Sequence, residues 1–150
     1  MSLIKHKVWL SAALLGAAAV LLPSCDDDEE ESSYKTFSEM ERSGPIAAWV
    51  PVWVPRNASD IHERHDLGSN SFILVFKCDA KSIVSALPPE LKPAAPGKMA
   101  EPAGLDAKWF PDGILSKGYK YYFSEEGSMG NGKSYLAIAD AEGLVFFWRQ

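Results

Sequence analysis

The chain has 150 residues, 47% of them hydrophobic, and a formal net charge of −5. That length buries one core without disulfide or metal staples and leaves little room for a second domain. An acid excess offers no basic surplus to neutralise phosphates, which argues against nucleic acid as a partner.

Lys5 and Lys7 precede an uncharged run, VWLSAALLGAAAVLL, over residues 8–22. A basic start, a short apolar stretch and small residues near its end read as a secretory signal. The run is shorter than the ~20 apolar residues that span a hydrocarbon core, so a cleaved signal is expected in place of a permanent helix. Basic residues ahead of it hold that end in the cytosol, and everything downstream is expected to be exported.

Residues 22–25 read LPSC, with Leu22 three places before Cys25 and Ser24 directly before it. This pattern resembles the lipobox of bacterial lipoproteins. The resemblance implies that residues 1–24 are removed and that Cys25, alkylated with diacylglycerol and bearing fatty chains such as palmitate, begins the mature protein. One acyl chain binds a membrane only marginally, at about 0.8 kcal/mol per buried CH₂, so two chains are the minimum for stable residence. The expected location is the cell envelope, lipid-anchored outside the cytoplasm.

Residues 26–31 are DDDEEE, and with Cys25, Ser32 and Ser33 they form an expected acidic tether over residues 25–33. A block of like charges repels itself and normally stays solvated. An Asp after the lipidated Cys resembles the inner-membrane retention signal of enteric bacteria, whereas acidic runs here resemble surface-export signals of other bacteria. The periplasmic face of the inner membrane, the outer membrane and the cell surface therefore all stay open. Loss of Lys5 and Lys7 leaves 13 basic against 20 acidic residues, and the body beyond the acidic run is close to neutral.

Residues 34–150 are expected to form one α+β domain. Its first distinctive stretch is AAWVPVWVPRNASDIHERHD over residues 47–66, where Pro51 and Pro55 keep the backbone extended and remove ladder donors. Trp49 and Trp53, four apart, either cover an open sheet face or present an aromatic surface to a partner. The pattern W-x-P-x-W-x-P-x-x-A-x-x-I, followed by a strand at residues 70–76, resembles a motif of small secreted bacterial proteins and implies no activity.

Residues 59–67 fit a strand paired across a turn at residues 68–70, although Asp60 and Glu63 also suit a helical capping box. The secondary structure decides their chemistry. On a helix, His62, His65 and Asp66 share a face and could offer metal ligands; on a strand, His62 and His65 point to opposite faces.

Residues 70–78 (NSFILVFKC) alternate Phe72, Leu74, Phe76 and Cys78 on one face with Ile73 and Val75 on the other, and so read as a central strand. Cys78 is then a small core residue, without an intramolecular disulfide partner once Cys25 carries lipid; an unlipidated Cys25 would reopen that bridge. Asp79 caps a predicted helix over residues 80–87 with Ile83, Val84 and Leu87 as its buried stripe, terminated by Pro88 and Pro89. Residues 88–104 hold too much proline and glycine for regular structure and read as a long surface loop.

Residues 117–125, 134–139 and 144–149 are rich in aromatic and β-branched residues and separated by glycine-bearing turns, the pattern of an antiparallel meander. The expected fold is α+β: a single twisted antiparallel sheet of about five strands with one or two short helices.

Residues 127–134 (GSMGNGKS) match the phosphate-binding pattern G-x-x-x-x-G-K-[ST], with Gly127 opening it and Lys133 and Ser134 closing it. That loop opens a helix inside an α/β domain, yet only 16 residues follow here and they read as strands. A glycine-rich hairpin turn is expected, with no nucleotide. No nucleophile elbow or cofactor-binding pattern is present.

The functional expectation is a membrane-anchored, non-enzymatic binding or accessory module, with the lipid bilayer as one partner through the acylated Cys25 and an envelope protein as another. Trp49 and Trp53 are the candidate partner surface. The alternatives are a metal-dependent hydrolase using His62, His65 and Asp66, and a structural envelope component.

Overall fold

The computed structural model describes residues 28–44, 48–126 and 132–150. The signal, the lipobox and Cys25 lie outside the described residues. Seven strands and two helices follow in chain order: β1 Glu29–Thr36, α1 Phe37–Arg42, β2 Ser59–Asp66, β3 Ser71–Lys77, α2 Ala80–Ala86, β4 Lys92–Ala94, β5 Lys120–Ser124, β6 Ser134–Ala139 and β7 Leu144–Arg149. They form one sheet in the order β1-β2-β3-β7-β6-β5-β4, antiparallel throughout. No helix among the described residues is long and apolar enough to cross a membrane.

The α+β class stands, but the sheet has seven strands, not five. Both additional strands come from stretches whose composition argues against strand. β1 begins at Glu29, inside the run expected to be a solvated tether. The three glutamates of the run enter the sheet because their charge is answered: Arg64 on β2 pairs with both Glu29 and Glu31. β4 comes from the proline-rich loop, and its three residues sit at the far edge against β5, where Pro93 can occupy a position that needs no donor.

Helix α1 has a variant of the capping box, in which the carboxylate reaches the residue before the N-cap Thr36. Thr36 Oγ1 accepts from the backbone N–H of Glu39, and Glu39 Oε2 accepts from the backbone N–H of Lys35. Asp79 caps α2 in the expected way, its Oδ1 accepting from Ser82 N at 2.9 Å. The predicted stripe of α2 is narrower than expected: Ile83 is buried and Leu87 partly so, but Val84 points to solvent. Ile83 is the fully buried residue of the seven in α2, with Ala80 and Leu87 packed beside it.

Alternation along the strands divides the core in two. On one face Ile61, Phe72, Leu74, Phe76, Leu136, Ile138, Val145 and Phe147 pack with Met40, Val50, Trp53, Val54 and Ile83. On the other, Ile73, Val75, Tyr121, Tyr135, Ala137, Phe146 and Trp148 pack beneath Leu105, Ala107 and Ile114. Both helices and the tryptophan segment cover the first face; the irregular chain between β4 and β5 covers the second. Two-sided burial explains why β3 and β7 are apolar at nearly every position.

One irregularity positions the site described next. Between Ser59 and His62 the register of β2 against β3 shifts, and Asp60 adopts φ +46°. The bulge turns the Asp60 carboxylate to Lys77 Nζ at 2.8 Å.

Candidate functional site

On the second face, one row runs across three strands: His62 on β2, Val75 on β3 and Phe146 on β7. Strands lie about 4.8 Å apart, so the ends of that row are about 10 Å from one another. The loop before β5 covers both ends. Trp109 stacks on His62, centroids 5.7 Å apart and planes at 30°. Tyr119 lies nearly parallel to Phe146, 5.8 Å away at 9°. Between these two aromatic stacks, above Val75, a cavity of about 490 Å³ opens to solvent.

Each wall is held in place. Trp109 Nε1 donates to Glu31 Oε1 at 2.9 Å, and Phe110 beside it wedges edge-on against Phe146 and Trp148. Arg64 Nη1 donates to the carbonyl of Asp106 at 2.8 Å and so ties the loop to β2. His62 Nδ1 is bonded to Ser33 Oγ at 2.7 Å, and the backbone N–H of Tyr119 donates to the Tyr121 hydroxyl, which itself donates to Ile114 O. Burial, then the nearby Glu142, raises the Tyr119 phenol above its ordinary value, so it stays protonated.

The rim is basic. Lys77, Lys108 and Lys117 line the cavity against one carboxylate, Asp60. Asp60 is bound to Lys77, whose hydrogen bond and charge hold its pKa below the usual carboxylate value. Lys108 and Lys117 make no ion pair among the described residues. Around this cavity the chain reverses its overall negative sign.

Of the candidate site residues His62, His65, Asp66, Trp49 and Trp53, His62 lines this cavity. His65 faces the opposite core, bonded to Glu63 at 2.9 Å and stacked on Trp49. Asp66 sits at the β2–β3 turn, accepting from Gly68 N and Ser69 Oγ. The three are thus not brought together: a strand's period of two sends His65 to the face opposite His62, and Asp66, four residues on, lies about 13 Å along β2 from His62. Among the described residues no group of three or more His, Cys, Asp or Glu side chains is placed to hold a metal ion.

Of the two readings of the tryptophans, covering a sheet face and presenting an aromatic surface, the burial of their rings matches the first. Trp53 is buried, edge-on to Phe147 at 5.3 Å and tilted on Phe76 at 6.5 Å; Trp49 is half-buried over His65. Apolar Phe76 and Phe147 leave a sheet face that these indoles cover. Among the described residues of that segment the exposed large apolar side chain is Val52, at the tip of a turn closed by Val54 N on Pro51 O.

Cys78 is buried, and desolvation raises its thiol pKa. Residues 127–131 of the glycine-rich motif lie outside the described residues. Lys133 exchanges backbone hydrogen bonds with Gln150, and Ser134 opens strand β6, whereas a phosphate-binding loop opens a helix.

Sequence reasoning missed Trp109, Lys108, Lys117 and Tyr119. The available signal was the tripeptide Trp109, Phe110, Pro111 in a segment with neither helical nor strand period. Large aromatic rings in irregular chain must pack against something distant.

The family model described as the YbbD head domain matches residues 28–77, a bacterial domain that covers a third of the chain. The match spans β1, α1, the tryptophan segment, β2 and β3, so it takes in His62 but not Trp109 or Tyr119. No curated protein and no solved structure matches the chain.

Proposed function

We propose that the chain is an envelope lipoprotein, anchored outside the cytoplasm through acylated Cys25, that acts without catalysis as a binding module for a small ligand. The observation that carries the binding half is the cavity above Val75 between the His62–Trp109 and Tyr119–Phe146 stacks. Its volume falls in the range of small-molecule sites, its walls are aromatic, and a few polar groups converge on it. The lipobox-like residues 22–25 support the anchoring half.

Strand geometry adds an orientation. Three residues separate Cys25 from β1, so Glu29 lies at most about 14 Å from the lipidated residue. In that arrangement Glu29, Glu30 and Glu31 belong to the sheet, which rests near the bilayer at the end holding Glu29 and Asp66. Asp60 and Lys77 lie at the other end of their strands, about 20 Å further along β2. The cavity, which Asp60 and Lys77 line, then lies toward the end of the sheet far from the membrane.

Intact mass spectrometry of protein from the membrane fraction tests the anchor: a chain beginning at Cys25 with the mass of its acyl groups is expected, and a full-length chain or an unmodified thiol overturns it. Ligand-observed NMR with an aromatic fragment mixture tests the cavity. Fragments that bind the wild type and not Trp109→Ala support it; fragments indifferent to Trp109 sink it.

A further inference from the structure

Resting on that binding reading, we infer that the cavity takes a planar aromatic carboxylate, its ring between the two aromatic stacks and its carboxylate on Lys108 and Lys117. Three observations converge on this ligand class. The floor and walls are Val75, Phe146, Leu144, Pro111, Trp109 and Tyr119, which offer ring faces and hydrocarbon in place of hydrogen bonds. A flat ring gains from such faces by offset or edge contact.

Second, the charge at the mouth is positive. Lys77 is occupied by Asp60, but Lys108 and Lys117 carry ammonium groups with no carboxylate partner among the described residues. Anion recognition by two lysines is electrostatic and not directional, which suits one carboxylate at a solvent-open rim.

Third, the polar inventory argues against the main competitor, a sugar. A sugar site sets acceptors against hydroxyls, whereas the charged side chains of this lining are three lysines against one carboxylate, Asp60, whose Oδ2 is held by Lys77. A polyanion would need more cations than the two lysines, Lys108 and Lys117, that this rim leaves without a carboxylate among the described residues.

The test is calorimetric titration of the protein as purified from the cell with 2-naphthoate and with its neutral amide, 2-naphthamide. Naphthoate is expected to bind at least about tenfold more tightly than the amide, with the difference shrinking in high salt. The double variant Lys108→Ala, Lys117→Ala is expected to lose about tenfold for naphthoate and to leave the amide unchanged. Trp109→Ala, checked for an intact fold by circular dichroism, is expected to weaken both.

The outcomes separate the two claims. Equal affinity of acid and amide, both sensitive to Trp109, overturns the carboxylate class and leaves the aromatic cavity standing. Binding by neither, or binding untouched by Trp109→Ala, overturns both.

Discussion

The imidazole of His65 lies flat against the indole of Trp49, ring centroids 4.4 Å apart and planes 14° from parallel. The Arg149 guanidinium sits over the same indole, 5.8 Å from its centroid. Beneath them His65 Nδ1 is bonded to Glu63 Oε2, and the other oxygen, Glu63 Oε1, accepts no well-formed hydrogen bond among the described residues. An ionisable pair is thus enclosed on the apolar face, with Glu30 the nearest outer carboxylate at 3.8 Å from His65 Nε2.

Burial raises the Glu63 carboxyl above its ordinary 4.5, and Glu30 adds to the shift; the bonds to His65 and Ser32 oppose them. The folded state therefore holds a proton on Glu63 that the unfolded chain has already released. Between 4.5 and the raised value, stability falls as pH rises. Urea unfolding from pH 4.5 to 8 should show that fall in the wild type. Glu63→Gln, which keeps an acceptor for His65, should show less of it; parallel profiles would remove Glu63 from the account.

Trp53 fills the space between Phe76 and Phe147. Trp53→Ala removes the largest side chain the tryptophan segment buries and should cost about 3–5 kcal/mol by denaturant unfolding. A cost below about 1 kcal/mol would mean that the segment does not close this face.

Cys78 is buried, with a thiol raised first by desolvation and then by Asp79. Folded protein at pH 8 should resist iodoacetamide, and denaturation should expose the thiol. The count then bears on the anchor. One thiol per chain in denaturant is expected if Cys25 is acylated, and two if it is not.

The β6–β7 turn requires its glycine. Gly143 holds φ +65°, and its carbonyl accepts from Cys78 N at 2.9 Å. Gly143→Ala should destabilise by about 1–2 kcal/mol. Gly97, whose added Cβ would meet nothing within 4 Å and whose φ is not positive, serves as the control, and Gly97→Ala should be close to neutral. Equal effects at both positions would refute the conformational explanation.

The strands with period-two apolar patterns were legible because burial acts on the residue types themselves. Residues 134–139 and 144–149 became β6 and β7 with their predicted bounds, and Asp79 caps α2 because its offset to Ser82 is local. β1 and β4 were not legible. Their composition opposes strand formation, and they pair only because β2 and β5 present open edges; Arg64 then neutralises the glutamates that would otherwise repel.

By itself the sequence determined the α+β class, the alternation along β3, β6 and β7, and the capped helix after β3. All of these depend on neighbours within a few residues, where chain geometry dictates contact. Tertiary structure alone decided that Trp109 would stack on His62 and Tyr119 on Phe146, across separations of 47 and 27 residues. No local pattern encodes such meetings: they follow from which sheet face is left uncovered and which loop is long enough to reach it.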